Sequence, residues 1–523
     1  MSDVVDRLKY STKVVKNWGQ HLLPNGKLLS EQLTFNGISM WEVVAPMLAL
    51  YFLPIALSSQ GNASFFGQLR PHVSLAKRKA IILIKRVFNR VFFNVERPPC
   101  GGEFLFMGFS GYMYRDVLQP VAERLSEKNG CDCLILFDEM HSGQFHASIN
   151  SLQYGLIWSY WDAQVANEAT LLNAKLLSAI AELKKMKTFP RLIESEEVPW
   201  RNFQDSINWL FNFHLPLLVP QIAISRRVLT LHRPKVIISA DVADPRARIY
   251  GLVGNYLGIP SFEIQFGPNG QEGVEWQFML ADHVATWGET TKQDLLEHGV
   301  KDRCITITGS PRHDSLVNID VNKAASVRAR LGIPSECLMV LCASTYQQKE
   351  YNSLSDPELL RKMKKATFKS AAEVEGIFLV IKPHPLENVK ETEKLIGSAV
   401  NVVIVDPSED IRELIKVCDV FLGFGSTATV DAIIADKLTI CPVFPGWLWS
   451  EMFVKSNAVL VPQSEEDLVR IFCSIRDGLV EKMKATLEPF RALFLQKLAF
   501  KIDGRSTERV VMAIEELKQG VKK

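Results

Sequence analysis

Two short runs in this sequence could hold an anion. In Lys382-Pro383-His384-Pro385 an imidazole stands between two prolines, whose rings lock φ, directly after the apolar run Ile377–Ile381. A lysine and a histidine placed there can donate to phosphate or ribose oxygens. The plainer alternative is a capping histidine in a rigid turn. The second run, Gly423-Phe424-Gly425-Ser426-Thr427-Ala428-Thr429, follows the apolar run Val420–Leu422. Its glycines permit close backbone approach. Ser426 and Thr427 can cap the next helix, whose free N–H groups and dipole favour an anion. Neither a full G-x-G-x-x-G nor a Walker A pattern is present. A third place is Asp241 and Asp244 after the run VIISA, with Arg246 and Arg248 close behind. The residue just past a strand is rigidly placed, which suits a group that must be held near a reactive geometry. Asp244 precedes Pro245, which suits a helix N-cap. Asp138, Glu139 and His141, after CDCLILF, form a further carboxylate and imidazole cluster, and Glu272 stands alone after Gly270.

These residues need strands to hold them, and the pattern supplies them. From Phe104 onward, short apolar runs alternate with helical stretches. Strands are expected at Phe104–Phe109, Cys131–Phe137, Val236–Ala240 and Ser261–Gln265. A second alternating set opens with Val284–Trp287 and Cys304–Thr308. It continues through Leu338–Ala343, Ile377–Ile381, Val402–Val405, Val420–Leu422 and Leu438–Pro442. Strands alternating with helices imply parallel sheets covered on both faces. Such sheets bind ligands beyond the carboxyl ends of their strands, where the residues above fall. Trp158, Tyr160, Trp161 and Trp209 could stack on a sugar but read better as helical core.

Before Phe104 the chain differs. Val43–Leu57 is apolar over 15 residues, short of the roughly 18–20 that a membrane span needs, and Pro46 and Pro54 interrupt it. A buried helical hairpin is the favoured reading, with an interfacial membrane contact as the alternative. From Arg70 to Arg97 eight Lys and Arg face one acid, Glu96, among apolar residues, a composition suited to an anionic lipid surface. Pro98-Pro99 closes the segment. The nine cysteines are scattered without a C-x-x-C pair, which argues against a zinc ribbon and fits a reducing cytoplasm. Sixty Lys and Arg against 58 Asp and Glu leave a net charge of +2, so no basic field argues for nucleic acid.

KPHP, then Asp406-Pro407, then CDVFLGFGSTATVDAI resembles the nucleotide-binding half of GT-B glycosyltransferases. The likeness is to bacterial surface-polysaccharide enzymes with an HP motif and a downstream Ser/Thr motif. Among these are sialic-acid and Kdo transferases and CDP-glycerol glycerophosphotransferases. Gly309-Ser310-Pro311-Arg312-His313-Asp314 resembles a G-x-P-R-x-D turn that often begins the second domain of such proteins. The resemblance implies an α/β, GT-B-like chain, with two doubly wound Rossmann-type domains facing a cleft and a helical N-terminal extension. The corresponding bounds are 1–99 for the extension, 100–310 for an acceptor and catalytic domain, and 311–523 for a nucleotide-donor domain with a closing helix. It implies nucleotide contacts at Lys382, His384, Gly425, Ser426, Thr427, Ser310 and Arg312, with Asp241 or Asp244 as the catalytic acid. Several relatives carry a Q-H-G turn; here it is Gln265-Phe266-Gly267, without the histidine. No D-x-D occurs, which favours a metal-independent donor site and no resident cofactor. The implied activity is transfer from a CMP-sugar donor, of Kdo or sialic-acid type, to a glycan or lipid-linked acceptor of capsule or lipopolysaccharide. The enzyme would be cytoplasmic, and peripheral at the inner membrane face. A CDP-glycerol-type phosphotransferase, a UDP-sugar transferase or epimerase, and an inactive glycan-binding scaffold are the alternatives.

Overall fold

The computed structural model describes residues 4–53, 98, 101–130, 132–138, 152–186, 200–268, 271–317, 321–346, 357–385, 387–447 and 450–520. Glu139, His141, the end of the apolar run after Leu53 and the basic stretch from Arg70 to Arg97 lie outside the described residues, as does the side chain of Glu272.

The chain forms two compact units, Met1–Pro311 with Thr507–Lys523, and Arg312–Ser506. A small hairpin comes first, β1 (Thr34–Phe35) and β2 (Ile38–Ser39). The first unit is then built on seven parallel strands: β3 (Phe104–Met107), β4 (Cys133–Phe137), β5 (Leu152–Leu156), β6 (Val236–Ser239), β7 (Ser261–Ile264), β8 (His283–Thr286) and β9 (Ile305–Ile307). Their order is β5-β4-β3-β6-β7-β8-β9, so the sheet reverses direction of growth between β3 and β6. The strands read as unbroken apolar runs because both faces are covered. Leu105 and Met107 of β3 face one core, Phe104 and Phe106 the other.

Three expectations change here. The runs at 284–287 and 304–308 belong to the first sheet, paired in register through Phe262↔His283 and Val284↔Ile305. Strand β5 was not anticipated, because Gln153 and Gly155 weaken its pattern. A Cβ on Gly155 would meet Pro98 Cγ at 2.9 Å, so the neighbouring Pro98 requires glycine there. The closing helix, Ser506–Gly520, belongs to the first unit and not to the second, since Val510, Val511, Ala513 and Ile514 bury against the core of Phe104, Phe106 and Ile135.

The N-terminal segment is also part of this unit. Val43, Val44, Ala45, Leu48, Ala49 and Leu53 are buried in the core that holds Leu105 and Tyr250. The described part of the apolar run is therefore protein interior and not a membrane face. Arg248 fastens it: its guanidinium donates to the Glu42 carbonyl at 2.8 Å and 3.0 Å, and to the carbonyls of Val242 and Phe278. Ser206–His232 is long and apolar enough to cross a membrane by length and composition, and most of its apolar stretch is buried within the protein. Trp158 and Tyr160 are buried in the same core, with Trp161 and Trp209 packed against it.

The second unit carries five parallel strands, β10 (Leu338–Ala343), β11 (Ile377–Lys382), β12 (Val402–Ile404), β13 (Val420–Gly423) and β14 (Leu438–Ile440), ordered β12-β11-β10-β13-β14. Its reversal point lies between β10 and β13. Val340, Cys342 and Leu379 face one core, and Met339, Leu341 and Val380 the other.

Candidate functional site

In the second sheet, register brings the two anion-type runs to one edge. Ala343 of β10 pairs with Lys382 of β11 on one side and with Gly423 of β13 on the other. Three loops therefore leave the sheet at one level, each roughly 5 Å from the next. They carry Ser344–Tyr346, Pro383–Pro385 and Phe424–Ser426.

The β13 loop owes its shape to its glycines. A Cβ on Gly423 would sit 2.8 Å from the Phe421 ring and 2.9 Å from Thr429 Oγ1. Gly425 has φ +85°, in the left-handed region. Ser426 then takes the N-cap position of the Thr427–Ile434 helix with an extended backbone, but its hydroxyl makes no capping hydrogen bond. The first N–H groups of this helix and the Ser426 hydroxyl thus meet at the sheet's reversal point.

His384 is half-buried beside Tyr346, with ring centroids 4.5 Å apart. Burial, then the Lys382 charge, pushes its imidazole down to about 4, so it is neutral at pH 7. Lys382 is itself buried, and its ammonium donates to the carbonyls of Pro383 (2.9 Å) and Pro407 (2.8 Å), tying together the loops after β11 and β12. The loop is held from below by Glu387. That carboxylate accepts from the His384 backbone N–H (3.0 Å), Ser344 Oγ (2.9 Å), Thr392 Oγ1 (2.6 Å) and the Lys364 ammonium. The Glu387 and Lys364 side chains are 4% and 9% exposed.

Beneath the β13 loop lies a second buried pair. Arg312 donates through Nε and Nη2 to Asp431 of the Thr427–Ile434 helix, with Nε to Oδ2 at 2.9 Å, and both side chains are buried. This ties the G-S-P-R-H-D turn to the GFGSTAT helix. His313 Nε2 is 3.6 Å from Asp431 Oδ1, but burial and then Arg312 push His313 down to about 3, so that contact is not an ion pair. Asp314 accepts from the Ser506 backbone N–H at 2.9 Å. Ser310 is fully buried at the end of the first unit.

The first unit presents its own group of side chains at the β3/β6 reversal point. Asp244 is the N-cap of the Pro245–Tyr256 helix, accepting from Arg246 N–H at 2.7 Å, and it pairs with the Arg246 guanidinium. Arg246 also bonds Asp138 at 2.9 Å and lies over the Phe109 ring. Asp138 accepts from Trp158 Nε1 at 2.6 Å. Asp241 does not cap the helix. It accepts from the Ala243 N–H at 3.0 Å, with the Asp244 N–H also turned to it, and lines a cavity with Phe109, Ser110, Met113 and Ser239. Burial, then the Asp244 charge, pushes its carboxyl up to about 6. Gln265, first residue of the Q-F-G turn, locks Trp287 by accepting its backbone N–H at 2.7 Å and its indole N–H at the carbonyl, 2.9 Å.

Sequence reasoning missed Glu387, Lys364, Asp431 and Glu263. Glu387 stood three residues past His384 and could have been noticed. Glu263 sits inside an apolar strand, where nothing in the pattern marks it. Among the described residues no group of three or more His, Cys, Asp or Glu could hold a metal ion.

Residues 291–426 match the family model described as CDP-Glycerol:Poly(glycerophosphate) glycerophosphotransferase. Among solved structures, the wall teichoic acid polymerase TagF is 11% identical, covering 87% of this chain and 99% of that one, with a TM-score of 0.51. MnaA of S. aureus, solved with UDP, is 12% identical over 80% of this chain and 98% of its own, TM-score 0.53. The UDP-GlcNAc 2-epimerase of Methanocaldococcus jannaschii is 14% identical over 79% and 99%, TM-score 0.50. The fold is GT-B-like. At these identities the structures speak for fold alone, and the GT-B fold together with the family match supports a GT-B transferase enzyme. No curated protein matches the chain.

Proposed function

We propose that this chain is a GT-B transferase that moves a unit activated on a cytidine nucleotide onto a growing cell-surface polymer. A CDP-alcohol of the CDP-glycerol type is the donor favoured by the family match. That match carries the reading, because residues 291–426 include the Arg312 turn, the His384 loop and Ser426. In this reading the second unit holds the nucleotide. The Ser426 hydroxyl and the free N–H groups of the Thr427–Ile434 helix receive a phosphate oxygen. Neutral His384 donates one hydrogen bond to it, and Thr427 and the Gly425 backbone shape the approach. Lys382 and Arg312 hold these loops from behind. Asp241 of the first unit takes the proton of the acceptor hydroxyl. The hydroxyl oxygen forms a bond to the phosphorus of the alcohol phosphate, the bond from that phosphorus to CMP breaks, and CMP leaves with the electron pair. An acid raised to about 6 is largely ionised at pH 7 yet more basic than an ordinary carboxylate, as a general base requires.

A CMP-linked ulosonate is the second reading. The lack of D-x-D supports it, since the single phosphate of a CMP-sugar needs less neutralisation than a diphosphate. CMP is the leaving group in both, so both use the same phosphate site. A thermal-shift panel of CMP, CDP, UDP and ADP tests the nucleotide, because a ligand of the native state raises apparent stability. Stronger stabilisation by CMP and CDP, weakened in His384→Ala by a hydrogen bond to charge of about 1.5–3 kcal/mol, is expected. Equal or tighter UDP binding would remove the cytidine assignment. Turnover of CDP-glycerol against a CMP-ulosonate then separates the two donors. For location, we place the enzyme at the cytoplasmic face of a membrane, with the Arg70–Arg97 segment supporting contact with anionic lipid.

A further inference from the structure

Behind Asp241 lies a second acid that the reading above does not use. Glu263 is fully enclosed in β7, a central strand, and pairs in register with Ser239 of β6. Ser239 Oγ donates to Glu263 Oε2 at 2.5 Å. Asp241 follows two residues after Ser239. Asp241, Glu263, Ser239, Ser261 and Arg248 together line one cavity of about 30 Å³. A water needs roughly 10–15 Å³ and two or more polar partners, and this cavity offers both. Asp241 also lines the cavity at the β3/β6 reversal point, so this one residue borders both cavities.

We infer that Glu263 is a positioning residue for Asp241: the two acids, lining one cavity, act as one proton-sharing pair in which only Asp241 meets substrate. The inference rests on Asp241 as the base of the proposed transfer. The surrounding charges fit it. Arg248, from the Pro245–Tyr256 helix, faces the pair but gives its donors to the carbonyls of Glu42, Val242 and Phe278. Asp244 and Arg246 face Asp241 from the loop and first turn of that helix and pair with each other. Asp282, preceding β8, is turned to Ser261, whose N–H and Oγ it accepts. Burial pushes Glu263 up to about 8, with the Asp241 charge adding to it and the Ser239 bond opposing. Asp241 ionises first, near 6. At neutral pH the pair then holds one proton, on Glu263, and the ionised Asp241 can accept another from a substrate hydroxyl. Two acids coupled in this way titrate in two steps that belong to the pair.

Thermal unfolding against pH tests the pairing without any substrate. A carboxyl raised in the folded state holds its proton where the unfolded chain has released it, so stability falls as pH rises, until the folded group itself ionises. Wild type should lose melting temperature steadily from pH 6 to about 8. Glu263→Gln should flatten that limb. Asp241→Asn should move the upper step to lower pH, because the charge that raises Glu263 is gone. An unchanged upper step in Asp241→Asn would overturn the pairing even if Glu263→Gln failed to fold, and a wild-type slope in Glu263→Gln would overturn it too. With CDP-glycerol as donor, CMP release by wild type should show a second break near pH 8 that Glu263→Gln lacks. Absence of CMP release from any donor would count against the proposed function and leave the melting result to decide the pair.

Discussion

Replacing Glu387 by Gln tests whether the His384 loop is held in the way its contacts indicate. In the native chain one buried carboxylate serves four donors: the His384 N–H, Ser344, Thr392 and the Lys364 ammonium. Lys364 is nearly enclosed and has only the Thr345 carbonyl, at 3.0 Å, as a further acceptor in this network. Gln keeps the size but removes the charge and turns one acceptor into a donor facing a cation. Breaking one side of a buried ion pair costs about 3–5 kcal/mol, mostly for the charge left behind. With a urea m-value of about 2 kcal/mol/M, the midpoint should fall by roughly 1.5–2.5 M. Adding Lys364→Met removes the stranded ammonium, so the double variant should be more stable than Glu387→Gln alone. Nucleotide affinity should drop in both, because the His384 backbone loses its anchor. Urea melts followed by tryptophan fluorescence, with CMP titrations, measure both effects. A Glu387→Gln variant within about 1 kcal/mol of wild type, or one with unchanged CMP affinity, would refute the reasoning.

The other expectations concern the first unit. Asp241→Asn should abolish transfer with CMP affinity intact, and the wild-type rate should rise with pH through about 6 as the base form appears. Loss of activity without that limb would assign the base elsewhere. Asp244→Ala should act mainly on stability, by the ~0.5–2 kcal/mol of a lost cap; full stability with lost transfer would exchange the two roles. Anionic liposomes should retain the protein at low salt and release part of it at high salt, each Lys or Arg of the 70–97 stretch being worth about 1 kcal/mol near the surface. Retention by neutral liposomes alone would remove that segment from the interaction.

Much of the fold was legible because a doubly covered parallel sheet leaves a plain mark. Runs such as IFLVI and LMVLCA have no polar face to hide, and a Gly, Pro or Asp follows many of the others, as Gly108 and Asp138 do. The post-strand positions followed directly, and the Asp-Pro pair at 244–245 announced its cap. What was illegible was set at long range. Glu387 and Lys364 are 23 residues apart, and Arg312 and Asp431 are 119 apart, so neither pair shows as a local pattern. The grouping of β8 and β9 was missed for a related reason: a strand's sequence does not say which edge it joins. The apolar run at Val43 reads alike as lipid contact or as core until Arg248 is seen to fasten the Glu42 carbonyl from more than 200 residues away.

The same polar residue types divide here by what their groups are spent on. Lys382, Arg312 and Asp244 were each attractive on sequence, and Gln265 opens the turn where relatives carry Q-H-G. Each gives its charge or amide to protein: two carbonyls, a buried aspartate, a helix end, a tryptophan. Burying such groups is tolerable only because they are satisfied. Ser426 stands at an N-cap without capping, and Asp241 takes only local backbone N–H groups beside a carboxylate already paired to arginine. Both lie at sheet reversal points, one in each unit, where the strands on either side send their helices to opposite directions and leave the edge open. A site residue must keep bonding capacity for a partner that is not protein, and the cost of doing so is met by the saturated residues around it. That contrast, more than residue type, is why Ser426 and Asp241 carry the proposed phosphate and proton roles while their more strongly charged neighbours hold the loops in place.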